Sequence, residues 1–271
     1  MQAFDYRRPT TLAEALALLE ADPEAKALAG GMTLIPTLKQ RLAAPSMLVD
    51  LSVIDALKVI AEKDGAITLG AMVKHREVSQ STVVRQAIPA LAGLAEGIGD
   101  PHVRNRGTVG GSVANADPAA DYPAAVVGLG ATVITSRREI KGDDFFTGLF
   151  ETALEPAELV TGVHFPIPDA AVYVKFPNPA SRYATVGVFV ARFGAEVRMA
   201  VTGAAPSVFR LIVTEAALER DFSPDVIGEE IEAAVDALNA DGHAPADYRA
   251  HLVAVIARRA VIACLARGRG A

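Results

Sequence analysis

Gly97–Asp121, GIGDPHVRNRGTVGGSVANADPAAD, is the stretch on which the reading of this chain turns. It is dense in glycine, brings Arg104 and Arg106 close together, and ends in the turn-forming pairs Asp117-Pro118 and Asp121-Tyr122-Pro123. Periodic apolar residues are sparse in it, so the sequence predicts a long loop rather than a core element. A loop of this length inside a folded domain is generally functional or disordered. Apolar segments close it in on both sides, which argues for function.

A related feature lies upstream. Lys26–Ala29 reads as a short strand running into Gly30-Gly31, Thr33–Arg41 as the helix that follows, and Met47–Leu51 as a further strand. Strand, glycine turn and helix make half of a nucleotide site, because the turn exposes backbone N–H groups to an anion. Ala29-Gly30-Gly31-Met32-Thr33 and Thr108-Val109-Gly110-Gly111-Ser112 each combine a glycine pair with flanking hydroxyls. Neither fits G-x-G-x-x-G or G-x-x-x-x-G-K-[ST], so a Rossmann or P-loop site is a poor match. On glycine content alone, two ordinary tight turns are the simpler reading.

Around these loops the pattern predicts a mixed α+β chain. Thr11–Asp22 is an amphipathic helix with a Thr11/Glu14 capping box and an apolar face of Leu12, Leu16 and Leu19. Val59-Ile60 and Ala66–Leu69 read as strands around the Lys63-Asp64-Gly65 turn. His75–Val78, Ile88–Glu96 and Tyr122–Leu129 read as helices, the last with Asp121 as its N-cap. Ala131–Thr135 and Glu158–Phe165 read as strands. Prolines cluster around Val172–Phe176, which places a domain boundary near Ile167. Beyond it come antiparallel strands over Thr185–Phe193, Glu196–Gly203 and Phe209–Thr214. A helix over Pro224–Leu238, capped by Ser223, and a long helix over Asp247–Arg267 complete the chain.

Composition sets further bounds. A hydrophobic fraction of 51% over 271 residues supports a sizeable core, and a net charge of −6 argues against a nucleic-acid or anionic-membrane coat. The single cysteine, Cys264, cannot supply a disulfide, a four-cysteine iron–sulfur cluster or a Cys-type zinc site by itself. It reads as a small buried apolar residue. His164, His243 and His251 are scattered, and no metal site is expected. MQAFDYRRP lacks the apolar core of a secretory signal, and the apolar stretch near Ala124–Ile134 falls short of the roughly 20 residues that span a bilayer. The expectation is a soluble cytoplasmic protein.

Together, AGGMTLIP (Ala29–Pro36), LGAMVKHREV (Leu69–Val78) and HVRNRGTVGGSVANADPAADYP (His102–Pro123) resemble the FAD-binding medium subunit of the molybdenum hydroxylases. This is the family of xanthine dehydrogenase and aerobic carbon monoxide dehydrogenase, and the resemblance covers essentially the whole chain. It implies a two-subdomain FAD-binding domain of the vanillyl-alcohol-oxidase/PCMH type over residues 1–166, with subdomains of about 1–55 and 56–166. A smaller α+β domain follows over 167–271.

The resemblance also implies non-covalent FAD. Ala29, Gly30, Gly31, Met32, Thr33 and Leu34 would wrap the pyrophosphate, and Thr108, Gly110, Gly111 and Ser112 would meet the pyrophosphate and the flavin side. A branched side chain at Gly110 is accordingly expected to press on the cofactor. Asp121 would bond a ribose or ribityl hydroxyl, Lys175 would lie near the flavin ring, and Tyr183 would shield one ring face. Met32 and Ser112 replace more strongly hydrogen-bonding residues of many relatives. No residue is assigned as a catalytic acid, base or nucleophile. The molybdenum cofactor and [2Fe–2S] clusters are expected on a large and a small partner subunit, from which electrons would pass through this FAD to an external acceptor. A stand-alone FAD-dependent reductase of the same superfold and a flavin-free structural subunit are the alternatives.

Overall fold

A computed structural model describes residues 1–228 and 237–268. The chain begins with strand β1 (Asp5–Arg7), helix α1 (Leu12–Ala21), β2 (Lys26–Leu28), α2 (Leu34–Lys39) and β3 (Met47–Asp50). These strands form a parallel 3-stranded sheet in the order β1-β3-β2. Thr11 starts α1 by accepting from the Glu14 amide at 3.2 Å, while the Glu14 carboxylate accepts from the Thr10 amide at 3.0 Å. The second half of the predicted box thus reaches one residue further back. Ala15 and Leu19 bury the inner face of α1 against Val49 and Leu51.

Next come β4 (Ile60–Lys63), β5 (Ala66–Gly70), α3 (His75–Gln80), α4 (Thr82–Ala87), α5 (Pro89–Glu96), α6 (Pro101–Arg106), α7 (Val109–Asn115) and α8 (Tyr122–Gly128). β6 (Thr132–Thr135), β7 (Glu139–Lys141), α9 (Gly142–Phe145), β8 (Phe146–Gly148), β9 (Glu151–Thr152) and β10 (Val160–Pro166) follow. An antiparallel 5-stranded sheet, β4-β5-β10-β6-β7, carries α5, α7 and α8 over Ile67, Leu69, Val133, Val163 and Phe165.

Gly97–Asp121 is therefore not one loop. Asp100 caps α6 by accepting from the Val103 amide at 2.9 Å, with Pro101 in the first turn. Thr108 caps α7 by accepting from the Gly111 amide at 3.2 Å. Asp-Pro and Thr-x-x-Gly are start signals for helices too short to show apolar periodicity. A further correction concerns Asp121, which precedes α8 but makes no capping bond from its side chain.

β11 (Ala170–Pro177), β12 (Ala184–Phe193), β13 (Glu196–Thr202) and β14 (Phe209–Arg210) form a 4-stranded antiparallel sheet in sequence order. The strand expected over Phe209–Thr214 ends at Arg210, and α10 (Ile212–Arg220) takes over. Of the helix expected over 224–238, residues 229–236 lie outside the described residues. Ser223 accepts from the Asp225 amide at 3.2 Å, opening a short 3-10 turn over Pro224–Val226. α11 (Ala246–Gly268) closes the chain.

β12 is covered on both faces, which explains its unbroken apolar run. Val186, Val188 and Val190 pack on Val253, Ile256 and Ala257 of α11. Phe189 and Ala191 point the other way and join the apolar cluster of α5 and α8. That cluster runs continuously across the sequence position of Ile167.

Candidate cofactor-binding site

Leu28, at the end of β2, accepts from the Leu51 amide at 3.0 Å and fixes the start of the first glycine turn. Gly31 then turns the chain at φ +72°, a conformation that suits glycine. The carbonyls of Gly31 and Thr33 accept from Ile35 and Thr37 at 3.0 and 3.1 Å, so they are drawn into α2. The amides of Gly30, Gly31, Met32 and Thr33 find no acceptor among the described residues. Met32 and Thr33 are exposed. Successive backbone N–H groups left unpaired at a turn form an anion-binding concavity.

The second turn differs. The Val109 and Gly110 amides donate to Val73 and Ala71, both at 2.9 Å, and the Gly111 amide is spent on Thr108. A Cβ on Gly110 would lie 2.4 Å from the Ala71 Cβ and 2.8 Å from its Cα. The expectation for Gly110 is thus corrected: a branched side chain there would first strike Ala71, in the turn just past β5. Gly111 and Gly30 face the other turn. A Cβ on Gly30 would come within 2.3 Å of the Arg106 carbonyl and 2.7 Å of the Gly107 Cα, and one on Gly111 within 3.3 Å of the Ala29 Cβ. The two glycine pairs allow the turns to interlock. Arg104 braces this region through the Ile98 and Gly99 carbonyls, at 2.9 and 3.2 Å.

Asp121, Tyr173 and Lys175 meet at the other end. The Tyr173 hydroxyl donates to Asp121 at 2.5 Å. The Lys175 ammonium donates to Asp121 at 3.1 Å, to the Gly97 carbonyl at 2.9 Å and to the Arg182 carbonyl at 3.1 Å. All three ammonium protons are spent within the protein. Burial pushes the Asp121 carboxyl up, against the opposing pull of Lys175 and Tyr173. Sequence reading does not single out Tyr173. The available signal was period two on β11, which sets Tyr173 and Lys175 on one face.

Tyr183 lies between β11 and β12, 42% exposed. The Thr33 side chain acts on the Tyr183 phenol, which puts the ring near the first glycine turn. Burial raises the Tyr183 pKa, with help from the charges of Asp117 and Asp121. Beyond the ring opens a polar cleft of about 440 Å³ that Asp117, Asn178, Asn239, Asp241 and Arg249 help to line. Ser112, in α7, is half-buried. Among the described residues no His/Cys/Asp/Glu group could hold a metal, and no helix is long and apolar enough to cross a membrane.

Residues 2–168 match the family described as "FAD binding domain in molybdopterin dehydrogenase". The nicotine 6-hydroxylase medium subunit of Paenarthrobacter nicotinovorans is 32% identical over 98% of this chain and 99% of its own length. The carbon monoxide dehydrogenase medium chain of Hydrogenophaga pseudoflava is 33% identical over 97% and 98%. Quinoline 2-oxidoreductase from Pseudomonas putida 86 superposes with a TM-score of 0.90 at 30% identity, covering 98% of each chain. The donor set found here suits such a cofactor: unpaired amides for a pyrophosphate, and an exposed aromatic ring beside them. On these grounds the chain belongs to the FAD-binding medium subunits of the multi-subunit molybdenum hydroxylases.

Proposed function

We propose that this subunit holds FAD non-covalently against the first glycine turn and relays electrons between subunits of a cytoplasmic molybdenum hydroxylase. The unpaired amides of Gly30–Thr33 carry the reading, since one anion compensates several unpaired donors at once. Ala29 and Leu34 bound that cradle. Thr108, Gly111 and Ser112 meet the cofactor from the second turn, and Gly110 stands behind them to set its depth. Tyr183 covers one face of the flavin ring. Asp121 and Lys175 act as a paired unit at the ring end, where each neutralises the other.

FAD, when bound, supplies exchange between one-electron carriers and a two-electron acceptor. The protein supplies binding and orientation. Electrons arrive from [2Fe–2S] clusters on a small subunit, which receive them from a molybdenum centre on a large subunit. The single cysteine of this chain cannot hold such a cluster by itself. The fold is read as a two-subdomain FAD domain of the PCMH type over 1–166, with a C-terminal domain from 167. The change of sheet between β10 and β11 supports that division.

Purification supplies the test. The protein should be yellow, release FAD on acid denaturation, and copurify with two chains carrying molybdenum and iron. A colourless, folded protein that takes up no added FAD would reject the cofactor reading. A yellow protein that copurifies alone and reduces its own substrate would favour a stand-alone reductase.

A further inference from the structure

Beyond the ring of Tyr183, the polar cleft is not accounted for by the FAD cradle. Its chemistry is one-sided. Arg249 is its described basic lining residue and is 5% exposed. That guanidinium donates to the Thr185 carbonyl at 2.7 Å, to Gly203 at 2.9 Å, to Ala244 at 3.2 Å and to Asp241 at 2.6 Å. It has no charge to spare, because Asp241 neutralises it. Asp117 differs: one oxygen accepts from the Ala119 amide at 2.9 Å, and no described cation pairs with it. Asn178 and Asn239 add neutral dipoles, although Asn239 is committed to the Ala205 carbonyl at 2.7 Å.

We infer that this cleft is the approach site for the terminal electron acceptor, and that it takes a small neutral or cationic redox molecule and rejects an anionic dinucleotide. The inference rests on the placement of FAD proposed above, with Tyr183 between cofactor and cleft. A pyrophosphate entering here would meet the Asp117 carboxylate and no uncompensated cation among the described lining residues. A quinone or an N-alkylated heteroaromatic cation meets no such penalty, and the cation gains from Asp117. The balance is simple for either. A quinone takes two electrons from the reduced cofactor across the Tyr183 ring and two protons from solvent, to which the cofactor releases its own, and leaves as hydroquinone. A phenazinium cation takes two electrons and one proton, and the second proton goes to solvent.

The test uses the holoenzyme complex and a charge series: N-methylphenazinium, a short-chain quinone, NAD⁺ and ferricyanide. Binding of the phenazinium and of NAD⁺ to the oxidised complex is measured by calorimetry, independently of turnover. The cation should bind more tightly than the dinucleotide at low salt, and the gap should close as ionic strength rises. Asp117→Asn keeps the acceptor for the Ala119 amide and removes the charge. Ala240→Arg adds a cation at an exposed lining position. Each should weaken cation binding roughly two- to fivefold, whereas Glu62→Gln, outside the cleft, should leave it unchanged. FAD content, read from the acid-released flavin, should stay at the wild-type level in all three.

Tight NAD⁺ binding, or charge effects equal in Glu62→Gln and Ala240→Arg, would overturn the inference. Loss of FAD in folded Asp117→Asn would also overturn it, since the cleft would then belong to the cofactor. A wild-type complex without FAD would instead reject the underlying placement.

Discussion

His75 shows how burial decides chemistry at single-residue scale. It is 4% exposed, and its ring stands 5.4 Å from that of Tyr122. Its amide donates to the Gly107 carbonyl at 3.0 Å, which places it directly behind the second glycine turn. Burial first, and then the charge of Arg104, lowers its pKa from 6.5 to about 4. It is therefore neutral across the physiological range, and a role as a proton donor at pH 7 is unsuited to it. The unfolded chain binds this proton near pH 6.5 and the folded chain only near pH 4. Stability from this group is complete above pH 6.5 and is lost as pH falls toward 4, by up to about 3 kcal/mol. Urea unfolding at pH 7.5 and pH 5 measures this. His75→Gln should show a smaller pH 7.5-to-5 difference than the wild type. An equal difference in both proteins would mean that His75 titrates normally. Its place near the site was legible from LGAMVKHREV; its neutrality was not, because burial arises from α3 packing against α5 and α6, with Tyr122 of α8 over the ring.

Turns and short helices carry the next scale. The glycine pairs were legible as places of close approach, but the sequence could not say what approaches. For Gly30 the neighbour is the backbone at Arg106 and Gly107, and for Gly110 it is Ala71. Ligand and backbone impose the same demand on a Cβ, so sequence alone cannot separate them. The helices α6 and α7 were missed for a related reason, being 6 and 7 residues long, too short for an apolar period to emerge. These distances predict that Gly30→Ala pushes the two turns apart. FAD binding should weaken on the order of tenfold, and stability should fall by about 1–3 kcal/mol. Gly93→Ala is the contrasting case, since an exposed Cβ in mid-α5 meets nothing within 4 Å. It should stabilise the protein by about 0.5–1 kcal/mol and leave flavin binding alone. Flavin titration and thermal unfolding of the two variants together test the interlocked turns. Unchanged flavin affinity in folded Gly30→Ala would show that the turns need not touch.

At the scale of the molecule, the C-terminal sheet is part of the site's frame rather than an appendage. Strand alternation made β11, β12 and β13 legible, but their attachment to Asp117–Asp121 depends on contacts far apart in sequence. Thr202, at the end of β13, is fully buried. Its hydroxyl lies 2.7 Å from the Ala120 carbonyl and 3.0 Å from that of Pro118. The Gly203 amide donates to Pro118 at 2.7 Å and the Ala184 amide to Ala119 at 3.1 Å. With Tyr173 and Lys175 on Asp121, these bonds hold the end of the second glycine region against the sheet that carries Tyr183. Thr202→Val keeps the shape and removes the donor, leaving the Ala120 carbonyl short of a partner at a cost of about 1–3 kcal/mol. Because the affected segment leads directly to Asp121, the loss should also speed FAD release. Amide exchange should rise at Ala119 and Ala184 while staying unchanged in β5 and β10, which lie outside the contact. Equal exchange everywhere with a lowered melting temperature would indicate general destabilisation instead. Faster exchange confined to the Pro118–Asp121 segment and β12, together with faster flavin loss, is the outcome expected if the sheet positions the cofactor through Thr202.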